Sequence, residues 1–196
     1  MDRLKQQIEF IVELDKLKTV FRQSLLTNKS RYENDAEHSW HLAVMAFLLA
    51  EHTKEKVDLL KVMKMVLIHD VVEIDAGDTY CYDEKAKLDK QEREEKCADR
   101  IFNLLPEEQA KEMFALWEEF EAMETPEAKY AAALDRIQPV LLNHASEGRS
   151  WKEHGIYVDQ VLERNQSIKH SSDKLWSYVK GLLEDAVDKG YLKKRI

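Results

Sequence analysis

Glycine and proline are scarce in this chain, 5 and 3 in 196 residues. That scarcity excludes most β-rich architectures, which need a turn roughly every 8–12 residues. Cysteine is scarcer still. Cys81 and Cys97 are too few to build a disulfide framework and point to a reducing, cytoplasmic setting. Cations are in deficit as well: 30 Lys and Arg against 38 Asp and Glu leave a net charge of −8. Such a field repels nucleic acid and anionic membranes, although a local cation can still hold a small phosphorylated ligand. The longest apolar run, Leu42 to Ala50, falls short of the roughly 20 residues that a membrane-crossing helix needs. The opening "MDRLKQQIEFIVELDKLKTV" spreads its charges throughout and has no apolar segment suited to a signal peptide. Neither nucleic acid nor membrane is expected as a partner.

What remains is helix-forming material. Charged residues make up 35% and hydrophobic ones 44%, with abundant Leu, Ala, Glu and Lys. These proportions predict an all-α, single-domain bundle of seven or eight helices over residues 1–196. A helical period through Leu4, Ile8, Ile11, Val12, Leu14 and Leu17 predicts a first helix up to about Leu17. "FRQSLLTNKSRYEND" breaks the period and reads as a loop or ragged helix end. Asn34 or Asp35 is the expected N-cap of "AEHSWHLAVMAFLLAEH", which is apolar nearly all round and so central. "DLLKVMKMVLIHDVVE" predicts a third helix with Leu59, Val62, Met63, Val66 and Leu67 inside, and Gly77 leaves Asp75 to Asp83 as loop. "DEKAKLDKQEREEKCADRIFNLL" predicts a charged, solvated helix. Pro106 and Pro126 suit first helical positions, and Pro139 predicts a kink. Further helices are expected between about 156 and 192.

Histidines and acids in apolar surroundings need a partner or a metal. Asp135 interrupts "AAALDRIQPVLL", His69 and Asp70 end an apolar run, and His38 begins one. Taken singly, each has an ordinary explanation: Asp135 in an ion pair with an arginine such as Arg136, the histidines as hydrogen-bonded core residues. Taken together, two imidazoles and two carboxylates make an N2O2 set suited to a divalent metal. Glu73 lies i+4 from His69 and i+3 from Asp70, so one helix face would carry all three.

The ordered set "EHS" at 37–39, "HDxxE" at 69–73, "GD" at 77–78 and "LDR" at 134–136 resembles the signature of the HD superfamily of metal-dependent phosphohydrolases. The motifs occur in the same order as in the bacterial 5′-deoxynucleotidases and their relatives among small HD-domain hydrolases, which this chain resembles. The motif-bearing part covers about residues 10–150. The resemblance implies an HD-domain helical bundle with one divalent transition metal (Mn, Co, Ni, Fe or Zn) on His38, His69, Asp70 and Asp135. It implies Glu73 as the catalytic base or water-orienting acid, Asp78 as the contact to the sugar hydroxyl, and Arg22 as the phosphate-binding cation. It further implies a nucleotide substrate and a homodimer. One departure stands out: the tryptophan that follows the arginine in the deoxynucleotidases is Gln23 here, which reopens sugar and base selectivity. Dinuclear relatives add histidines between the HD pair and the last Asp, and residues 71–134 contain none. One metal is therefore expected.

The expected activity is hydrolysis of nucleoside (deoxy) 5′-monophosphates by metal-activated water. The alternatives are an HD hydrolase of another small phosphate ester or a nucleotide polyphosphate such as (p)ppGpp, and a binding module without turnover. Near the motif, His41, Arg136, Gln138 and His144 could line the pocket or merely pack. Trp117, Phe120, Trp151 and Tyr157 serve the core or an interface.

Overall fold

A computed structural model describes residues 2–83, 85, 86 and 88–195. Asp2 opens the first helix by accepting a hydrogen bond from the Leu4 backbone N–H, and α1 runs over Arg3–Glu13. The helical period seen to Leu17 continues past it, but as a tighter 3-10 turn over Leu14–Thr19. The segment expected as a loop is instead an antiparallel hairpin, β1 (Phe21–Leu25) and β2 (Tyr32–Asn34). Phe21 stands opposite Asn34 and Leu25 opposite Tyr32, with an irregularity between the two pairs. Two strands this short carry too few alternations to register as a period of two, and their pairing is closed by a turn with Lys29 at φ 61.

Asn34 caps α2 (Asp35–Leu49) through a capping box, its side chain accepting from the Glu37 N–H while Glu37 reaches back. Asp58 caps α3, which spans Leu59–Ile68 and stops at His69 rather than running on to Glu73. Within it Leu67 is 48% exposed, contrary to expectation, while Met65 is buried. A short helix α4 (Glu73–Ala76) follows. The charged segment becomes helical only as α5 (Lys90–Phe102); Glu84 and Lys87 of that predicted helix lie outside the described residues. Pro106 is the N-cap, not the first residue, of α6 (Glu107–Ala122), whereas Pro126 does open α7 (Pro126–Ala145), which continues helical across Pro139. Then come α8 (Arg149–Glu153), which left no periodic trace in so short a segment, α9 (Val158–Asn165), α10 (Ile168–Ser171) and α11 (Asp173–Asp188). Eight of these helices have eight residues or more, and no helix among the described residues is long and apolar enough to cross a membrane.

Alanine spacing explains why α7 sits at the centre. Ala128, Ala131, Ala132 and Ala133 leave room for neighbouring backbones, so α2, α3, α6 and α11 pack around it. Tyr130 is fully buried there and its hydroxyl donates to the Ala46 carbonyl at 2.9 Å. A second cluster joins Phe10, Leu17, Val71, Val72, Ile101, Phe102 and Trp117 beneath α5, and Ile68 touches both. Trp117, Phe120 and Trp151 are all core residues, while Tyr157 is half-buried. Both cysteines are free.

Gly148, at φ +67, turns the chain from α7 into α8, and a Cβ there would lie 2.1 Å from the Tyr191 carbonyl oxygen. Gly155 has a similar φ of +65 but open space around it. Gly148→Ala should therefore cost well over 2 kcal/mol of stability, and Gly155→Ala only about 1 kcal/mol of left-handed strain. Equal losses for the two variants in chemical denaturation would contradict this packing.

Candidate metal and substrate site

Five segments deliver the predicted residues to one region of the bundle. His38 stands one turn into α2, where the Asn34 cap fixes the start of the helix. After α3 the backbone tightens: Val71 N–H donates to the Ile68 carbonyl at 3.1 Å and Glu73 N–H to that of Asp70 at 2.9 Å. These turns, rather than the continuous helix expected, bring His69, Asp70 and Glu73 onto one cavity. Asp135 comes from the middle of α7, Arg22 from β1, and Asp78 from the chain just beyond Gly77, whose φ of +75 makes the bend.

His38, His69 and Asp135 offer ligand atoms that all lie within 4.8 Å of one another. His38 Nε2 is 3.0 Å from Asp135 Oδ1 and 3.9 Å from Asp70 Oδ2. His69 Nε2 is 3.1 Å from Asp70 Oδ1 and 3.8 Å from Asp135 Oδ1. The other ring nitrogens are already spoken for. His69 Nδ1 lies 2.9 Å from the Val66 carbonyl, which can only accept, so the proton sits on Nδ1. That leaves Nε2 buried and without a hydrogen-bond partner, facing carboxylate oxygens. An unpartnered acceptor among acceptors is the arrangement that a cation relieves, and the N2O2 donor set fits a divalent ion.

His38 is oriented by a longer relay. Gln138 Nε2 donates to Glu33 Oε1 at 2.6 Å, which turns Gln138 Oε1 toward His38 Nδ1 at 3.1 Å. His41 Nδ1 lies 3.2 Å from the same amide nitrogen, so His41 supports the relay instead of entering the cavity. Gln138 likewise acts from behind His38 and does not line the cavity.

Acids crowd the remaining side. Arg22 Nη1 is 2.6 Å from Asp70 Oδ2, 3.3 Å from Asp35 Oδ1 and 4.0 Å from Asp78 Oδ1, and Nη2 is 3.7 Å from Asp135 Oδ1. Burial, together with Asp70 and Asp35, raises Glu73 well above the usual carboxylate range. Burial and Asp70 raise Asp35 to about 7, and burial also raises Asp78. Burial opposes ionisation of Asp135 too, but the hydrogen bond of His38 and the nearby His69 ring hold it well below its ordinary value. Burial and Arg22 disfavour a charged His38, yet Asp135, Glu33 and Asp70 outweigh them and raise it to about 9.

The cavity, of about 290 Å³, is lined by Arg22, His69, Asp70, Glu73, Asp78 and Asp135, and also by Lys90, Arg136 and Arg164. Sequence reasoning missed Asp35 and Glu33. Both are almost wholly buried, at 0% and 2% exposure, but their position just before a helix reads as ordinary capping chemistry. Two neighbours turn out to be structural: Asp75 pairs with Arg100, and His144 Nε2 lies 2.6 Å from Asp185 Oδ2.

Comparison with known proteins agrees with this geometry. The family model of the HD domain matches residues 14–176. The 5′-deoxynucleotidase HDDC2 of Homo sapiens is 32% identical over 68% of this chain, and that of Mus musculus 31% over 68%. The matches span 65% and 66% of those proteins, so the chain covers just under two thirds of their length. The crystal structure of a predicted metal-dependent phosphohydrolase from Magnetospirillum magnetotacticum MS-1 is 54% identical, with a TM-score of 0.90 over 97% of this chain and 95% of that one. A Pyrococcus horikoshii protein with 21% identity and a TM-score of 0.64 over 93% of this chain and 99% of its own shares the fold.

The charge arrangement sets a pH dependence for protein stripped of divalent ions. His38, raised to about 9, contributes stability that is complete below its ordinary value of 6.5 and is lost as pH rises through 9. Asp35, Glu73 and Asp78 are raised acids, so the folded state holds protons that the unfolded chain has released, and their cost grows as pH rises above about 4. Both contributions have the same sign. In excess chelator the denaturation midpoint should fall between pH 5.5 and 8.5; a flat or rising profile would refute this account of the site.

Proposed function

This chain belongs to the HD domain family, and on that premise we propose that it is a metal-dependent phosphohydrolase. Its substrates on this reading are nucleoside 5′-monophosphates, deoxy forms included, which it splits into nucleoside and phosphate. The observation that carries the reading is the convergence of His38, His69 and Asp135 around the unpartnered His69 Nε2. The names of the HDDC2 relatives and of the Magnetospirillum magnetotacticum structure support it. His38, His69, Asp70 and Asp135 would hold one divalent transition metal from the set Mn, Co, Ni, Fe or Zn. A bound divalent ion supplies Lewis acidity, which acidifies water and offsets phosphoryl charge.

The chain's own groups do the rest. Glu73, with Oε2 free of any hydrogen bond, takes or orients the proton of the attacking water. Its raised affinity for protons suits that task. Arg22 donates to the phosphate oxygens with donors now spent on Asp70 and Asp35. Asp78 accepts from the sugar hydroxyl. The Glu33–Gln138 relay keeps His38 Nε2 turned to the ion.

We read residues 1–196 as one HD domain, cytoplasmic on the evidence of its two free cysteines and acting as a homodimer. The dimer reading rests on apolar side chains left in solvent: Leu4, Ile8, Ile11 and Val12 on α1, and Trp40, Phe47 and Leu48 on α2, each at least 50% exposed.

Four outcomes test these assignments. Asp70→Ala should lose both bound metal, measured by elemental analysis of untagged protein, and phosphate release. Glu73→Gln should keep the metal while lowering kcat by roughly 10²- to 10⁴-fold; near wild-type turnover would remove Glu73 from the mechanism. Gln138→Leu should weaken metal binding about 10- to 100-fold by freeing the His38 ring. Light scattering should give twice the monomer mass, and Val12→Glu or Phe47→Glu should shift it toward the monomer if the dimer uses either apolar face.

A further inference from the structure

Nine arginines occur in the chain. Seven have a carboxylate oxygen within 4.0 Å: Arg3, Arg22, Arg31, Arg93, Arg100, Arg149 and Arg195. The other two, Arg136 and Arg164, have none among the described residues, and both line the same cavity. In a chain with 38 acids against 30 bases, carboxylates are abundant, yet none of the described ones lies within 4.0 Å of either guanidinium group. Arg136 is half-buried, and its one side-chain contact is a weak one, Nη2 to the Met123 sulfur at 3.5 Å. Arg164 lies close enough to act on it through space, as do Asp135 and Glu121. Two like charges held together with partial desolvation cost free energy until an anion enters between them.

These arginines do not duplicate Arg22. Arg22 faces Asp70, Asp35, Asp78 and Asp135, each with a carboxylate oxygen within 4.0 Å of its guanidinium group. Arg164 stands exposed at the end of α9, near the rim, and Arg136 lies on α7 one residue beyond Asp135. The cavity therefore has two cationic regions, one neutralised by acids and one open.

We propose that Arg136 and Arg164 form a second anion-binding subsite, which takes an additional anionic group carried by the substrate beside the phosphate to be cleaved. The subsite rests on the phosphohydrolase reading for the cleaved group. It extends that reading from nucleoside 5′-monophosphates to phosphate esters bearing a second phosphate or comparable anion. Guanidinium forks bind phosphate oxygens in pairs, so both side chains can share one such group.

Binding to the metal-loaded Glu73→Gln protein, measured by calorimetry, tests this. The probes are 2′-deoxyadenosine 5′-monophosphate, its 3′,5′-bisphosphate and 2′-deoxyadenosine 5′-diphosphate. At least one of the doubly phosphorylated probes should bind 10-fold or more tighter than the monophosphate, about 1.4 kcal/mol. Arg136→Gln/Arg164→Gln should bring that ratio below about 2-fold. The single variant Arg164→Gln, at an exposed position that does not threaten folding, should cut it about 3-fold. Equal binding of all three probes by the parent protein, or a preference that survives in the double variant, would overturn the subsite. Absence of phosphate release from every probe by wild-type protein, with the binding preference intact, would instead overturn the phosphohydrolase reading and leave the subsite standing.

Discussion

Buried negative charge gathered in one place is the constraint on which the site depends. Glu33, Asp35, Asp70, Glu73, Asp78 and Asp135 converge within a region that excludes most water, and among the described residues Arg22 is the one permanently cationic side chain that reaches four of them. Bringing carboxylates together without counter-charge is costly. Without an ion, the molecule meets that cost with Arg22, with a proton on His38 and with protons shared among the raised acids. A divalent ion held by His38, His69, Asp70 and Asp135 would offset the same charge and leave Arg22 available to a ligand.

The scaffold makes such a concentration tolerable by holding it from four directions. α7 contributes Asp135 and, one turn on, Gln138; α2 contributes His38; the tightened turn after α3 contributes His69 and Asp70; the hairpin contributes Arg22. Each is anchored in apolar packing a few residues away, as with Leu42 after His38 and Leu134 before Asp135. The acids cannot relax apart without disturbing that core.

Much of the site was legible in the chain because its residues break the helical hydrophobic period. Asp135 within "AAALDRIQPVLL" and His69-Asp70 after "MVLI" are polar where the pattern calls for apolar, and a resemblance of motif order gathered them. Asp35 and Glu33 broke no pattern, since acids beside a helix start are commonplace. The hairpin was illegible for a different reason: strands of five and three residues take their conformation from pairing with each other, which no local propensity records. Arg136 was noted only as a neighbour of Asp135, and nothing in the order of residues tied it to Arg164.

By itself the sequence determined the helical class, the absence of membrane-length apolar runs, and the identities of the residues that could bind a metal, because periodicity and side-chain chemistry are local properties. Only the tertiary structure decided that Arg22 stands among the acids and that a Gln138 relay turns His38. It also decided that α3 ends at His69, and that two arginines 28 positions apart line one cavity with no carboxylate within 4.0 Å among the described residues. Each of those depends on which distant groups pack together, and distances through space are set by the whole core rather than by any stretch of the chain.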